Sequence, residues 1–492
     1  MSVKARRPSL PRGPYLVVGL GRAGSAAADA LIGVPDAERV LAWDGSAEGE
    51  PRQAARRLRR RGVEVWLGGD GSKALEAAGP RAAVIKSPGI YFDIPILRLA
   101  RSRGLQVFDE LELGWRLSKR PIVGVTGTNG KSTTAKLVAA VLESAGHQVQ
   151  LAGNTEFGPP LSAAAADGWI VCETSSFQLE ASPSFLPDIA VFTNLTFEHM
   201  ARHVTMEGYG AAKRGMFVRG EHVAQTAIVN LDDRFGRRLA GDVARAGGRV
   251  LSYGFEAGAD VRIEQTEWNM REARLGLQTP DGAVECTTRL PGRYNASNVA
   301  AAFALGHSLG LPAAGIARIL EGACGPPGRW EVITEFESFD VVVDFAHNPD
   351  GIRQLLETAR AVTDARDGAL RTVYGATGRR DPEKARKVGA LARALSDHLI
   401  LTTGTIPREA RMERLGELRR AARRGGVLEV VLDRRAAIER AIMAAQPGDI
   451  VVVLGLGVLG RMVLDAAGTT CPFDDRQVVR EMLSHTRAIA WN

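Results

Sequence analysis

Short β-branched runs alternate with helical stretches along this chain, and that alternation predicts its architecture before any motif is considered. Leu16 to Gly19, Val40 to Trp43, Val63 to Leu67, Ala83 to Lys86 and Gln106 to Phe108 read as strands separated by helices, the pattern of a parallel sheet with crossover helices. A helix over Leu111 to Lys119 runs into Arg120-Pro121, a boundary. The strand Ile122 to Thr126 then feeds a glycine turn and a helix to about Ala145, and strands follow at Trp169 to Glu173, Ile189 to Asn194 and Ala227 to Asn230. A β-rich stretch from Val250 to Leu290 and helices over Asn295 to Leu309 and Ala313 to Leu320 close this second unit. Gly325-Pro326-Pro327-Gly328 has the composition of a hinge or turn. Strands at Asp340 to Asp344, Arg371 to Tyr374, His398 to Thr402, Glu429 to Leu432 and Ile450 to Leu454 make a third unit. The expected fold is therefore α/β in three domains, 1–119, 120–324 and 325–492, the first and last Rossmann-like.

Composition adds little to this picture but excludes several classes. With 492 residues, 45% hydrophobic and 24% charged, the chain is too long for one ordinary core and too apolar for disorder. A net charge of +7 suits a nucleic-acid binder or an enzyme of anionic substrates. Arg52 to Arg61 and Arg411 to Arg424 carry much of the arginine in helical patterns without interleaved aromatics, which favours solvated helix faces over a nucleic-acid patch. Cys172, Cys286, Cys324 and Cys471 have no paired spacing, so a reduced cytoplasmic location is expected. No apolar run approaches the roughly 20 residues of a membrane helix. Residues 2 to 14, basic and proline-rich, are expected to form a loose tail.

The most specific signal is Thr126-Gly127-Thr128-Asn129-Gly130-Lys131-Ser132-Thr133, between an apolar strand and a helix. Glycines allow the backbone amides and the helix N-terminus to face a phosphate chain. Lys131 can then reach the terminal phosphates while a Ser132 or Thr133 hydroxyl coordinates magnesium. A strict P-loop would want Gly or Ala where Val125 stands. A second glycine motif, Gly19-Leu20-Gly21-Arg22-Ala23-Gly24, follows the first strand, with Asp44 at the end of the next, a spacing that suits a ribose. Alone it would suggest NAD. The same expression fits Gly455-Leu456-Gly457-Val458-Leu459-Gly460, which reads as another strand-to-helix turn.

With the phosphate loop in place, the chain resembles the Mur ligase family, relatives of folylpolyglutamate synthases. Glu173-Thr174-Ser175-Ser176-Phe177-Gln178-Leu179-Glu180 looks like a segment supplying a magnesium-binding glutamate, Glu173. Thr193 to Met200 looks like the second metal segment, with His199 as its histidine, and Tyr209-Gly210-Ala211-Ala212-Lys213 like the one whose lysine, here Lys213, becomes carbamylated. The resemblance implies ATP and magnesium as cofactors, with Ser132, Glu173, His199 and Lys213 around the metal. ATP would be held by Gly127, Thr128, Asn129, Gly130, Lys131, Ser132 and Thr133, with Asn295, Asn298, Arg329 and Asp344 as further contacts. Pro291-Gly292-Arg293-Tyr294-Asn295 resembles the adenine-side motif, with Tyr294 replacing a histidine. In the first domain, Gly21, Arg22, Asp44, Gly89 and, beyond it, Asn154 are the expected contacts to a UDP-substrate.

Chemically, a carboxylate and the ATP γ-phosphate are both anionic, and metal ions with Lys131 would cancel their repulsion on the way to an acyl phosphate. The front half is MurD-like, and Asn129 stands where MurC has histidine. Asp344-Phe345-Ala346-His347-Asn348-Pro349-Asp350-Gly351 and Phe473-Asp474-Asp475-Arg476 instead resemble MurE and folylpolyglutamate synthase. The reading this favours is addition of glutamate, L slightly ahead of D, to UDP-N-acetylmuramoyl-L-alanine. His347, Arg379 and Arg380 are the candidate amino-acid contacts. A Mur-type ligase for another amino acid, a NAD-dependent oxidoreductase and a nucleic-acid-stimulated ATPase are the competing readings. A monomer acting on small molecules, with no nucleic-acid or membrane partner, is expected.

Overall fold

The computed structural model describes residues 7–165, 167–333, 338–375, 382–405, 408–422, 425–465 and 469–490. They form two compact units, one of Met1–Gly127, Val141–Asn194 and Glu207–Ser252, the other of Thr128–Ala140, Leu195–Met206 and Tyr253–Asn492. The class is α/β with mainly parallel sheets, as the alternation predicts.

In the first unit, a five-stranded sheet runs in the order Glu64–Leu67, Val40–Asp44, Tyr15–Val18, Ala83–Lys86, Val107–Asp109, all parallel. Its strands are apolar on both sides because both faces are covered. Tyr15 and Val17 pack into one core, Leu16 and Val18 into the other. Gly24 packs the first helix against the strand's exit, where a Cβ would lie 1.7 Å from the Gly19 carbonyl oxygen. A second parallel set runs Thr226–Asn230, Ile189–Phe192, Ile122–Thr126, Trp169–Glu173, Val149–Gly153. The chain leaves the central strand Ile122–Thr126 to one side and returns to the other, so its carboxyl end is a topological switch point, the place where open α/β sheets bind ligands.

In the second unit, Glu331–Val332 pairs antiparallel with the edge of a sheet that continues Asp340–Asp344, Ile450–Leu454, Leu370–Gly375, His398–Thr402, Val427–Val430 in parallel. Its central strands again alternate between two cores, Val452 in one and Val451 and Val453 in the other. Val261–Trp268, Ala273–Thr279 and Gly282–Thr288 form an antiparallel meander, the β-rich stretch foreseen in the sequence.

Four details depart from the sequence reading. Gly455 to Gly460 leads into the short strand Arg461–Val463 and not into a helix, so a third glycine in that spacing marks a tight loop only. The last strand of the parallel sheet is Val427–Val430, two residues earlier than expected. Residues 7–14 are held down, since Arg7 Nη2 donates to Arg120 O at 2.6 Å and Arg116 Nη1 to Ser9 O at 3.1 Å. The helix Gly49–Arg59 exposes its arginines as expected, whereas Arg414 in Arg408–Ala421 is buried. No described helix is long and apolar enough to cross a membrane. All four cysteines are free thiols, Cys172 and Cys286 buried and Cys324 exposed.

Glu110, at the start of the helix Glu110–Leu117, is fully buried. One of its oxygens accepts from Ser162 N at 2.6 Å, and the other has no partner among the described residues. Burial pushes its carboxyl up to about 7, against the pull of Ser162. The folded chain therefore holds a proton between the ordinary value of 4.5 and about 7 that the unfolded chain has lost, so stability declines as pH rises through that window. Glu110→Gln is expected to remove roughly 3 kcal/mol of that decline, read as urea midpoints against pH. Identical slopes in the two proteins would refute the assignment.

Candidate functional site

The carboxyl end of Ile122–Thr126 is the focus of the first unit. Val125 lies opposite Glu173 in the ladder, and Thr126 opposite Phe192, so three chain exits converge. Thr126 Oγ1 donates to Thr174 O at 2.8 Å, and Thr193 Oγ1 donates to Thr126 O at 3.4 Å. Gly127 follows, at a point where a Cβ would meet Thr193 Oγ1 at 1.8 Å. Lys213, in the helix Met206–Arg214, is 1% exposed and donates from Nζ to Gly127 O at 2.7 Å, with the Tyr209 ring 4.5 Å away. Gly127, Glu173 and Lys213, far apart in sequence, are thus brought to one strand end, and Glu173 is itself buried. The neighbouring Cys172 thiol is pushed up to about 12 by burial and is chemically quiet there.

The rest of the loop belongs to the second unit and heads the helix Lys131–Ser144. Lys131 Nζ donates to Thr128 O at 2.8 Å. Thr128 Oγ1 receives Thr196 N at 3.0 Å. Gly130 adopts φ +84°, open to glycine without penalty, and a Cβ there would lie 2.3 Å from Asn298 Oδ1. That Asn298 oxygen also accepts from Thr134 Oγ1 at 3.1 Å, and its amide donates to Asn295 Oδ1 at 3.1 Å. Asn295 in turn donates to Pro291 O at 2.8 Å. The two asparagines form a buried brace under the loop. Asn129 joins the helix Pro349–Asp364 to this loop: it donates to Asp350 Oδ2 at 2.9 Å and accepts from Asn348 Nδ2 at 2.7 Å.

His199 sits at φ 60°, left-handed backbone that costs a non-glycine residue roughly 1–3 kcal/mol and gathers at functional sites. Its neighbour Glu198 is buried and receives Lys384 Nζ at 2.8 Å. His347 Nδ1 lies 3.0 Å from Phe345 O, which fixes the proton on Nδ1 and leaves Nε2 as the acceptor. Desolvation, reinforced by the charge of Lys384, holds its pKa well below the ordinary 6.5, so it is neutral at physiological pH. Asp344 is buried and accepts from Trp330 N at 2.7 Å and Ala346 N at 2.6 Å. Burial raises its pKa, while Arg329, stacked 4.6 Å from the Phe345 ring, opposes the rise. Tyr294 is held well above its ordinary value by burial, and its hydroxyl has no partner among the described residues.

In the first sheet, Gly21 caps the helix Arg22–Ile32, and Arg22 Nη1 donates to Thr155 O at 2.7 Å. Asn154 N donates to the main-chain Glu173 O at 2.7 Å, which ties the Asn154 backbone to the strand end that carries the buried Glu173. Asp44 accepts from Leu20 N at 2.6 Å and from Ser46 N at 2.8 Å, steadying the glycine turn. Gly89 lies in the turn after Ala83–Lys86, beside the Ser87 hydroxyl that donates to Gly19 O at 3.0 Å. Arg379 and Arg380 lie outside the described residues. Glu198, Lys384, Asn348 and Asp350 were not foreseen as site residues. Glu198, Asn348 and Asp350 each stood inside a motif read from the sequence, and Lys384 alone did not.

Among the described residues no three His, Cys, Asp or Glu side chains converge tightly enough to hold a metal alone. Magnesium does not need such a cage: it keeps waters and takes one or two carboxylates plus phosphate oxygens. Within the first unit, the buried Glu173 at the strand end beside Gly127 suits that chemistry.

The comparisons agree with this geometry. The Mur ligase middle domain matches residues 125–306, and the Mur ligase glutamate ligase domain residues 328–457. A 2,6-diaminopimelate ligase acting on UDP-N-acetylmuramoyl-L-alanyl-D-glutamate, from Bacillus velezensis, is 31% identical over 426 residues, 81% of this chain and 85% of its own. One of the same name from Synechococcus elongatus is 34% identical, covering 75% and 77%. A solved MurC from Thermotoga maritima shares the fold, with TM-score 0.62 and 19% identity over 97% of this chain and 99% of its own. The chain belongs to the Mur ligase family. It is an ATP-dependent acid–amino-acid ligase, which disposes of the oxidoreductase reading. The glutamate-adding, MurD-like expectation is overturned, because these relatives are named for diaminopimelate. The MurE-like segments at Asp344–Gly351 and Phe473–Arg476 were the better guide to that choice than the glycine-rich front half.

His347 is expected to show no ring titration near 6.5 in NMR spectra assigned with His347→Gln, and Lys384→Met should raise its pKa. A wild-type midpoint near 6.5 would contradict the desolvated site.

Proposed function

We propose that this ligase adds a diamino acid of the 2,6-diaminopimelate kind to a UDP-N-acetylmuramoyl dipeptide, a step in assembling a peptidoglycan precursor. The observation that carries the reading is the shared name of the relatives, each at least 28% identical and spanning more than three quarters of its own length. In this reading residues 1–119 bind the UDP end through Gly21, Arg22, Asp44 and Gly89, with Asn154 added from beyond. Residues 120–324 bind ATP, and 325–492 select the amino acid. Gly127 to Thr133 cradle the phosphates, with Arg329 and Asp344 as outer nucleotide contacts. Magnesium, held by Ser132, Glu173 and His199, would offset the charge of the phosphates. Lys131 shares that task, so that a carboxylate oxygen can attack the γ-phosphorus and ADP can leave. The amine of the incoming amino acid then attacks the acyl carbon, and phosphate departs with the breaking C–O bond. A neutral His347 is suited to accept a hydrogen bond from an ammonium or to take its proton, and not to clamp a carboxylate as a cation. Lys213 supports the loop through Gly127 O, and as a carbamate it would instead supply an anionic oxygen to the metal.

The purified enzyme with ATP and magnesium is expected to release phosphate and form the tripeptide product from UDP-N-acetylmuramoyl-L-alanyl-D-glutamate and meso-diaminopimelate. L-lysine and either glutamate, offered with the dipeptide or the monopeptide acceptor, serve as alternatives. Turnover confined to glutamate on UDP-N-acetylmuramoyl-L-alanine would sink the proposal. Lys213→Ala should lower kcat about a hundredfold or more, and partial rescue by acetate or formate would mark a carbamate. Full activity in that variant would remove Lys213 from the site.

A further inference from the structure

A cavity of about 600 Å3 lies in the first unit, away from the phosphate loop's strand end, between the Trp115 helix, the Pro183–Leu186 turn and the end of the helix that carries Lys213. Its wall is apolar where Trp115, Leu186 and Val218 contribute, all at most 7% exposed. The polar part includes two arginines, Arg214 and Arg219, with His222 beside them, and no aspartate or glutamate lines it. Arg214 is already neutralised by Asp242 at 2.6 Å. Arg219 is not. Its guanidinium has five N–H donors, yet among the described residues it makes one hydrogen bond, from Nη2 to Leu179 O at 3.2 Å, its buried Nε has no partner, and it makes no ion pair within salt-bridge distance. Burial lowers its pKa, and the favourable charge of Glu112 acts only at longer range, since the Glu112 oxygens are engaged by Arg116 Nε at 2.7 Å and Ser184 N at 3.1 Å. A partly desolvated cation with most donors unused costs free energy unless an anion completes it.

The backbone makes room for that cation. Gly215 lies directly under the guanidinium, and a Cβ there would come within 2.8 Å of Nη2 and 2.9 Å of Cζ. We propose that this cavity is a binding site for a small oxyanion with an apolar or aromatic body, its head on Arg219 and its body against Trp115, Leu186 and Val218. The volume falls within the range of small-molecule pockets, and the mixture of apolar wall and few polar groups is typical of them. None of the lining residues is among the expected ATP or UDP-substrate contacts, and the proposed site does not depend on which amino acid is added.

The test uses the full-length enzyme saturated with ADP and UDP, so that neither nucleotide site accepts the probe. Phenyl phosphate is titrated calorimetrically, with benzyl alcohol and inorganic phosphate as single-feature controls. The expected result is saturable binding of phenyl phosphate, at least about tenfold tighter than either control. Arg219→Gln should weaken it about tenfold. Gly215→Ala should weaken it as well, by displacing the flexible end of Arg219 without straining the fold, and Arg219→Lys should retain part of the affinity. Absence of phenyl phosphate binding, equal binding of benzyl alcohol, or unchanged affinity in both Arg219→Gln and Gly215→Ala would overturn the proposal.

Discussion

The backbone from Thr126 to Lys131 passes where side chains would not fit, and the candidate site is arranged around that narrow passage. Thr193 closes on Gly127 from one neighbouring strand exit, and Asn298 closes on Gly130 from a helix more than 150 residues further along. Such close approach needs glycine, the residue that lets a backbone lie directly against a phosphate chain. Lys213 and Lys131 both donate to carbonyls of this stretch, so the loop's own oxygens help to place its cations.

Polar contacts also join segments that are remote in sequence. Asn129 bridges to Asn348 and Asp350, Lys136 Nζ donates to Gly325 O at 3.0 Å, and Lys384 pairs with Glu198. The buried Lys384–Glu198 pair is not a large source of net stability, because desolvation of both ions offsets most of their attraction. Its value is geometric: it fixes the backbone next to His199, whose left-handed conformation needs support from its surroundings.

Much of the architecture was legible in the chain because parallel strands covered on both faces read as continuous apolar runs. Ile122–Thr126, Trp169–Glu173 and Ile450–Leu454 fall on their expected bounds for that reason. The edge strand Val427–Val430 was misplaced by two residues, since an edge has only one neighbour to fix its register and its Val427 and Val430 are exposed. The glycine turn from Gly127 to Gly130 and the helix after it were legible because their signals are local. The brace of Asn295 and Asn298 was read as an adenine contact, whereas its side chains also support the loop from beneath. Lys384 and Glu198 were invisible, as a lysine and a glutamate 186 positions apart carry no pairing signal. The amino-acid choice was misjudged because the front half was weighed above the segments Asp344–Gly351 and Phe473–Arg476, and the candidate contacts Arg379 and Arg380 fall outside the described residues.

The distribution of thiols has a practical side. Cys172 and Cys286 are sealed in the interior, and both have pKa values pushed up to about 12 by burial, so they resist alkylation in the folded chain. Cys324 is exposed one residue before Gly325, whose carbonyl is held by Lys136 from the phosphate-loop helix. A maleimide fluorophore offered to the native enzyme would therefore favour a position tied to the helix that follows the glycine loop, with Cys471 as the slower competitor. The chain carries its own attachment point for an optical reporter.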